Sequence, residues 1–273
     1  MGAEAADAGV PPAAEARLPT RVLFFGWGAA AEEVLKELVE YSAKGWAVVH
    51  CISHKAQAKD SDLSEVCERL GFACSLADEG DELLRIASAF APSLIISASY
   101  RHRIASSILE LCADRVNFHP SLLPRHRGCM SGFWAIFEGD AETGVTCHRM
   151  VHEFDRGHIL WQERAPIAGD DTSFSLYRKL LPVTAACARR VLAMHFGSGG
   201  LPPGQEQTGA SSYHHRRLPF DGLIQPEWPA DQVERFIRAM VYPPFEGAAL
   251  LVGGERVPVE SLEAFMSLRR GAG

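Results

Sequence analysis

From Arg21 to Pro120, short apolar runs alternate with helix-spaced ones, and few folds accommodate that order. Arg21–Phe25 (RVLFF) reads as a buried strand that ends at Gly26-Trp27-Gly28. Ala29–Tyr41 then sets Val34, Leu35, Leu38 and Val39 at helical spacing. Trp46–Ile52, Phe72–Leu76, Ser93–Ala98 and Val116–His119 repeat the strand pattern. Leu63–Leu70, Asp81–Phe90 and Ile104–Cys112 repeat the helix pattern, and Gly71, Pro92 and Pro120 punctuate the series. Such a series predicts βαβ units in an open, mostly parallel, Rossmann-like α/β sheet. Ligands bind such sheets beyond the carboxyl ends of the strands. The positions to watch are therefore Gly26, Ser53, Ser97–Tyr100 and Asn117–His119.

The pattern then changes. Ser121–Ser131 is a loop rich in Pro, Arg and Gly, and Trp134–Gly139 reads as a short helix. Gly144–Val151 alternates like a strand that Ile159–Ala165 can pair with. Ser173–Phe196 is helical, either kinked at Pro182 or split there. Gly, Pro, Gln, Ser and His dominate residues 201–217, which read as a linker loop after a catalytic domain at 21–200. A small subdomain at 218–273 holds an amphipathic helix, Ala230–Met240. A hairpin follows, Ala248–Val252 and Arg256–Val259, split by Gly253-Gly254. A hairpin this small does not fold alone, so this helix-plus-hairpin appendage must pack on the main domain. Phe236 and Met240 on its helix offer either a homodimer face or inward packing.

Composition narrows the functional classes. Apolar residues make up 47% of the 273, enough for a sizeable core, and no run approaches the ~18 apolar residues of a membrane helix. The formal net charge of -7 argues against a nucleic-acid partner, although His214-His215-Arg216-Arg217 is a local basic patch. The seven cysteines form no CxxC pair, which argues against a disulfide framework or a thiolate zinc site and suits a reducing cytoplasm. Residues 1–20 lack a basic start and an apolar centre, so they read as a flexible tail rather than a secretory signal.

Five motifs could carry chemistry. Gly26-Trp27-Gly28 resembles part of a dinucleotide fingerprint, but the second strand ends Cys51-Ile52-Ser53-His54 without the ribose-binding acid. Glycines permitting a tight turn explain it better. In Asn117-Phe118-His119, positions i and i+2 share one face, so an amide and an imidazole project side by side from a strand end. The amide can donate to a developing oxyanion, and the imidazole can carry a proton near neutral pH. Taken alone, the triplet also fits a strand-end pair bonded to a turn. Asp155, in Glu153-Phe154-Asp155-Arg156-Gly157, is a turn residue unless it lies near His119, where it would orient the ring. His148 and His152 have the HxxxH spacing of zinc helices, but in a strand those positions stand about 13 Å apart. Arg125–Arg127 and Arg216-Arg217 remain weak candidates for holding a phosphorylated substrate.

The run Val116-Asn117-Phe118-His119-Pro120-Ser121-Leu122-Leu123-Pro124, continued to Gly128, resembles the signature of folate-dependent formyltransferases. Phe133-Trp134-Ala135-Ile136, Gly144-Val145-Thr146-Cys147-His148, Phe154-Asp155-Arg156-Gly157 and Asp171-Thr172 follow in the family's order, so the resemblance spans roughly residues 21–196. It implies the formyltransferase fold, N10-formyltetrahydrofolate as co-substrate, and no metal requirement. The catalytic trio would be Asn117, His119 and Asp155, with Asn117 and protonated His119 on the oxyanion. The pteridine would lie near Ser97, Ser99 and Tyr100 and against Val151, His152, Glu153 and Phe154. Ser121, Leu122 and Leu123 would shape the pocket wall.

Two departures concern the acceptor rather than the chemistry. Arg156 stands where the family usually has Thr, and Cys129-Met130-Ser131-Gly132 replaces the Ala-x-Pro pattern of methionyl-tRNA formyltransferases. Phe220-Asp221-Gly222 and Tyr242-Pro243-Pro244-Phe245 resemble the appendage of sugar N-formyltransferases. The resemblance therefore implies a small-molecule amine acceptor, first a nucleotide-linked amino sugar. An amino acid or antibiotic-pathway amine and methionyl-tRNA are the alternatives. A formyltetrahydrofolate hydrolase, or a folate-binding protein without catalysis, are the readings from other classes.

Overall fold

A computed structural model describes residues 18–54, 63–77 and 80–271. Of the tail read at 1–20, residues 1–17 lie outside the described residues. The alternation appears in the expected order: β1 (Thr20–Gly26), α1 (Gly28–Ala43), β2 (Ala47–Ser53), α2 (Leu63–Leu70) and β3 (Ala73–Leu76), then α3 (Asp81–Phe90), β4 (Leu94–Ala98), α4 (Ser106–Leu109) and β5 (Asp114–His119). The helix expected at Ile104–Cys112 is therefore only one turn long. Next come β6 (Arg127–Gly128), α5 (Ser131–Phe137), β7 (Glu142–Arg149), β8 (Ile159–Pro166) and α6 (Ser173–Ser198). The chain ends with β9 (Tyr213–His214), α7 (Ala230–Met240), β10 (Ala249–Val252), β11 (Glu255–Pro258) and α8 (Leu262–Gly271).

One seven-stranded sheet runs β3-β2-β1-β4-β5-β7-β8. β1 to β5 pair in parallel, while β7 and β8 add antiparallel. The order reverses between β1 and β4, which places the ligand crevice beyond their carboxyl ends. Both faces of the sheet are covered, so β4 is buried throughout and reads as a continuous apolar run. On one face Val22, Phe24 and Ile96 pack with Leu35 and Leu38 of α1 and Leu192 of α6. On the other, Leu23, Phe25 and Ile95 pack with Leu83 of α3 and Ile108 of α4.

α6 is one helix of 26 residues, not two. A reciprocal capping box between Thr172 and Ser175 starts it. Pro182 lies on its exposed side, where water can serve the carbonyl that the missing N–H leaves free.

α7 packs on α5. Phe236 is fully buried, with its ring 5.8 Å from both Phe133 and Phe137 and 5.1 Å from Trp228. Met240 is buried as well. Neither residue therefore offers a surface to a second copy, and inward packing is the outcome. Amphipathic spacing showed that this face is apolar but not what covers it. Phe236→Ala is expected to cost about 3–5 kcal/mol in chemical denaturation. A cost below about 1 kcal/mol would mean that the appendage does not share the main core.

Residues 201–217 run back along the half that carries the seven-stranded sheet. Gln205 pairs with Ile159, and β9 pairs with β6.

Candidate active site

Two strand registers align the site. Asn117 stands beside Ser97 on β4 and His148 on β7, and His119 beside Thr146. Residues opposite one another in register point to the same face, so Asn117 and His148 meet. Asn117 Nδ2 lies 3.2 Å from His148 Nε2.

Asp155 comes to this row from the β7–β8 connection. Its backbone is left-handed, at φ 55°, a conformation that Asp tolerates better than most residues. Gly157 lets the connection close, because a Cβ there would lie 1.7 Å from the Arg149 carbonyl oxygen. Gln207 holds the shape by donating from Nε2 to the carbonyls of Asp155 and Gly157, at 2.7 and 2.8 Å. Arg127 in turn grips Gln207 Oε1, at 3.1 and 2.7 Å.

Four groups converge on the Asp155 carboxylate. The Gly128 N–H donates to Oδ2 at 2.8 Å, and His119 Nδ1 is 3.5 Å from the same oxygen. On Oδ1, His148 Nε2 is 3.3 Å away and Asn117 Nδ2 3.5 Å. Burial alone would raise the Asp155 pKa. His119, His148 and the Gly128 N–H outweigh that and hold the carboxyl well below the usual carboxylate range.

His119 is 5% exposed, and burial pulls its ring below the ordinary histidine range, against the opposing pull of Asp155 and the His126 carbonyl. Burial thus favours the neutral ring, and Asp155 favours the charged one. The ring Nε2 lies 2.8 Å from the His126 carbonyl oxygen, so the proton belongs on Nε2 and Nδ1 faces Asp155. Proton uptake at Nδ1 then finds a carboxylate already in place. His148 Nδ1 donates to the Arg149 carbonyl at 2.9 Å, which leaves Nε2 to accept from Asn117. These tautomers follow from the partners.

The other sequence-derived residues divide into two groups. Ser97 is buried beside Asn117, while Ser99 and Tyr100 lie at the open strand end. Val151, His152, Glu153 and Phe154 form an exposed rim. Arg103 joins these two segments: its Nη2 donates to the His152 carbonyl at 2.9 Å, and its guanidinium lies over the Phe154 ring at 5.5 Å. An open pocket of about 300 Å³ forms there, lined by Arg103, His152, Glu153, Phe154, Arg156 and Tyr213. Ser121, Leu122 and Leu123 are buried in the turn after β5 and do not line that pocket. Ser121 Oγ donates to the Arg125 carbonyl, and the Leu123 N–H donates to Thr146 Oγ1.

His148 and His152 serve separate places, the second bonding Arg103 and Ser106. Sequence reasoning missed His148 and Gln207 as members of the site. The alternation of β7 already put Thr146 and His148 on one face, but only the pairing register shows that the face meets Asn117.

The chain matches the formyl transferase family model over residues 20–192, and it belongs to that family. GDP-perosamine N-formyltransferase of Brucella melitensis is 36% identical over 256 residues, covering 92% of this chain and 96% of the relative. A sugar N-formyltransferase from a Shewanella species superposes with a TM-score of 0.72 at 19% identity, over 88% of this chain and 96% of its own. An N-formyltransferase from Helicobacter canadensis, in complex with folinic acid and dTDP-3-aminofucose, superposes at 0.66 and 17%, over 87% and 86%. The fold is therefore the formyltransferase fold.

Proposed function

We propose that this protein transfers the formyl group of N10-formyltetrahydrofolate to the amine of a nucleotide-linked amino sugar, and that it works in the cytoplasm. The observation that carries this reading is the Asp155 carboxylate on which His119, Asn117, His148 and the Gly128 N–H converge. The Brucella relative, named for a nucleotide sugar, and the Helicobacter structure with a folate and an amino-sugar nucleotide support the two substrates. Arg103 and Arg156 at the pocket fit a ligand carrying phosphate or carboxylate, in a chain whose net charge is -7. Among the described residues no helix is long and apolar enough to cross a membrane.

The neutral amine attacks the formyl carbon, and the carbonyl electrons move onto oxygen. Asn117 gives that oxygen the N–H whose present contact with Asp155, at 3.5 Å, is its weaker one. One such donor is worth about 3–4 kcal/mol in the transition state. His119 takes the proton lost by the amine at Nδ1, where Asp155 stabilises the imidazolium. It returns that proton to N10 as the carbon–N10 bond breaks. The formamide and tetrahydrofolate then leave.

The test is tetrahydrofolate release, followed by absorbance, with GDP- and dTDP-linked 3- and 4-amino sugars and a control without amine. Release with an amino-sugar nucleotide alone is the expected result. Equal release without amine would make the protein a hydrolase.

A further inference from the structure

Beyond the Asn117–His119–Asp155 cluster, three potential metal-binding side chains meet at the junction of α5 with β6 and β9. His126, Glu138 and His214 each offer a ligand atom, and these atoms all lie within 4.8 Å of one another. We propose that they bind one divalent transition-metal ion, zinc above all, at a site separate from the formyl-transfer chemistry.

The distance between the two rings is the first argument. His126 Nδ1 lies 3.2 Å from His214 Nε2. Tetrahedral zinc with Zn–N bonds of about 2.0–2.1 Å holds two imidazole nitrogens about 3.3–3.4 Å apart. The two nitrogens therefore already stand at a chelating separation. The strand pairing of Gly128 with His214 fixes the two backbones that carry them.

The second argument is the setting of each ring. His126 Nε2 lies 2.9 Å from Asp140 Oδ2, and Arg125 Nη1 holds the other oxygen of that carboxylate at 3.0 Å. A carboxylate on the far nitrogen of a histidine fixes its tautomer and makes the near nitrogen a better ligand, as in most metal-bound histidines. His126 is thus preset with its Nδ1 lone pair toward His214. The His214 ring is stacked on Trp134 at 4.1 Å and 9°.

Glu138 completes the set from the exposed C-terminal end of α5, four residues after Trp134. Its side chain is free to swing the remaining distance. Water would fill the fourth position. The His126 carbonyl is the group that receives His119 Nε2, so the ion would brace the loop that anchors the catalytic ring. It would also clamp β9 to the edge of the catalytic half.

A direct imidazole–imidazole hydrogen bond is the competing explanation of the same contact. Cobalt(II) titration of the full-length protein separates the two. The expected result is one saturable equivalent with visible d–d absorption, little thiolate-to-cobalt charge transfer despite seven cysteines, and displacement by zinc. Glu138→Gln should weaken binding at least about tenfold, and His214→Gln should abolish it. Circular dichroism checks the fold of each variant, and Glu138, being exposed, carries the test if the His214 variant is unstable. No saturable binding, a thiolate charge-transfer spectrum, or unchanged affinity in Glu138→Gln would overturn the site.

Discussion

His119→Gln is expected to lower kcat for formyl transfer by about 10²–10⁴-fold, the usual worth of a positioned proton carrier. Glutamine is the informative substitute. Its amide can keep the donor toward the His126 carbonyl that His119 Nε2 supplies, while removing the group that titrates. The fold should stand, because the ring's other partner is the Asp155 carboxylate, which retains the Gly128 N–H. The folate KM should change little, because the loss falls on a transition-state interaction. Steady-state kinetics with circular dichroism check this. A variant that folds normally and turns over within about threefold of the wild type would remove His119 from the mechanism.

Asp155→Asn should have an effect of similar size, on the order of 10²–10⁴ in kcat, and should also move the pH profile. Asn tolerates the left-handed backbone at φ 55° and can still accept from the Gly128 N–H, so the loop should hold. What disappears is the charge. Asp155 now opposes the downward pull of burial on His119. Without it the ring pKa falls further. A step in which the neutral ring takes up the amine proton loses rate as pH falls through that pKa, so the acid-side limb should move to lower pH. Asp155 itself stays ionised throughout, because its own pKa is far below the working range. Rate measurements at saturating amine across pH test the sign. A limb that stays in place, or moves to higher pH, would contradict the pairing of Asp155 with His119.

The elements that carry the site were legible because each has a local cause. β1 and β4 are buried on both faces, so they stand out as continuous apolar runs between helix-spaced segments. Asn117 and His119 declared a shared face through strand periodicity alone. Asp155 entered only through the family resemblance, since a polar turn residue carries no mark of what it will face.

What stayed hidden depends on contacts distant in sequence. His148 reaches Asn117 through the β5–β7 register, and Gln207 reaches Asp155 across 52 residues. β6 and β9, two residues each, show no periodicity by which either could be found. α8 follows the hairpin in a stretch whose sequence pattern had suggested nothing. Phe236 and Met240 illustrate the same limit, because an apolar helix face is local whereas the α5 surface that covers it is not.

The most direct test of formyl transfer by this cluster is to follow the formyl carbon. N10-formyltetrahydrofolate labelled at that carbon is mixed with wild-type protein and an amino-sugar nucleotide, and the label is partitioned between formamide product and free formate. The expected result is label in the formamide, with its rate of appearance falling by at least about 10² in folded His119→Gln. Label recovered only as formate, or a formamide rate indifferent to His119, would contradict the assignment.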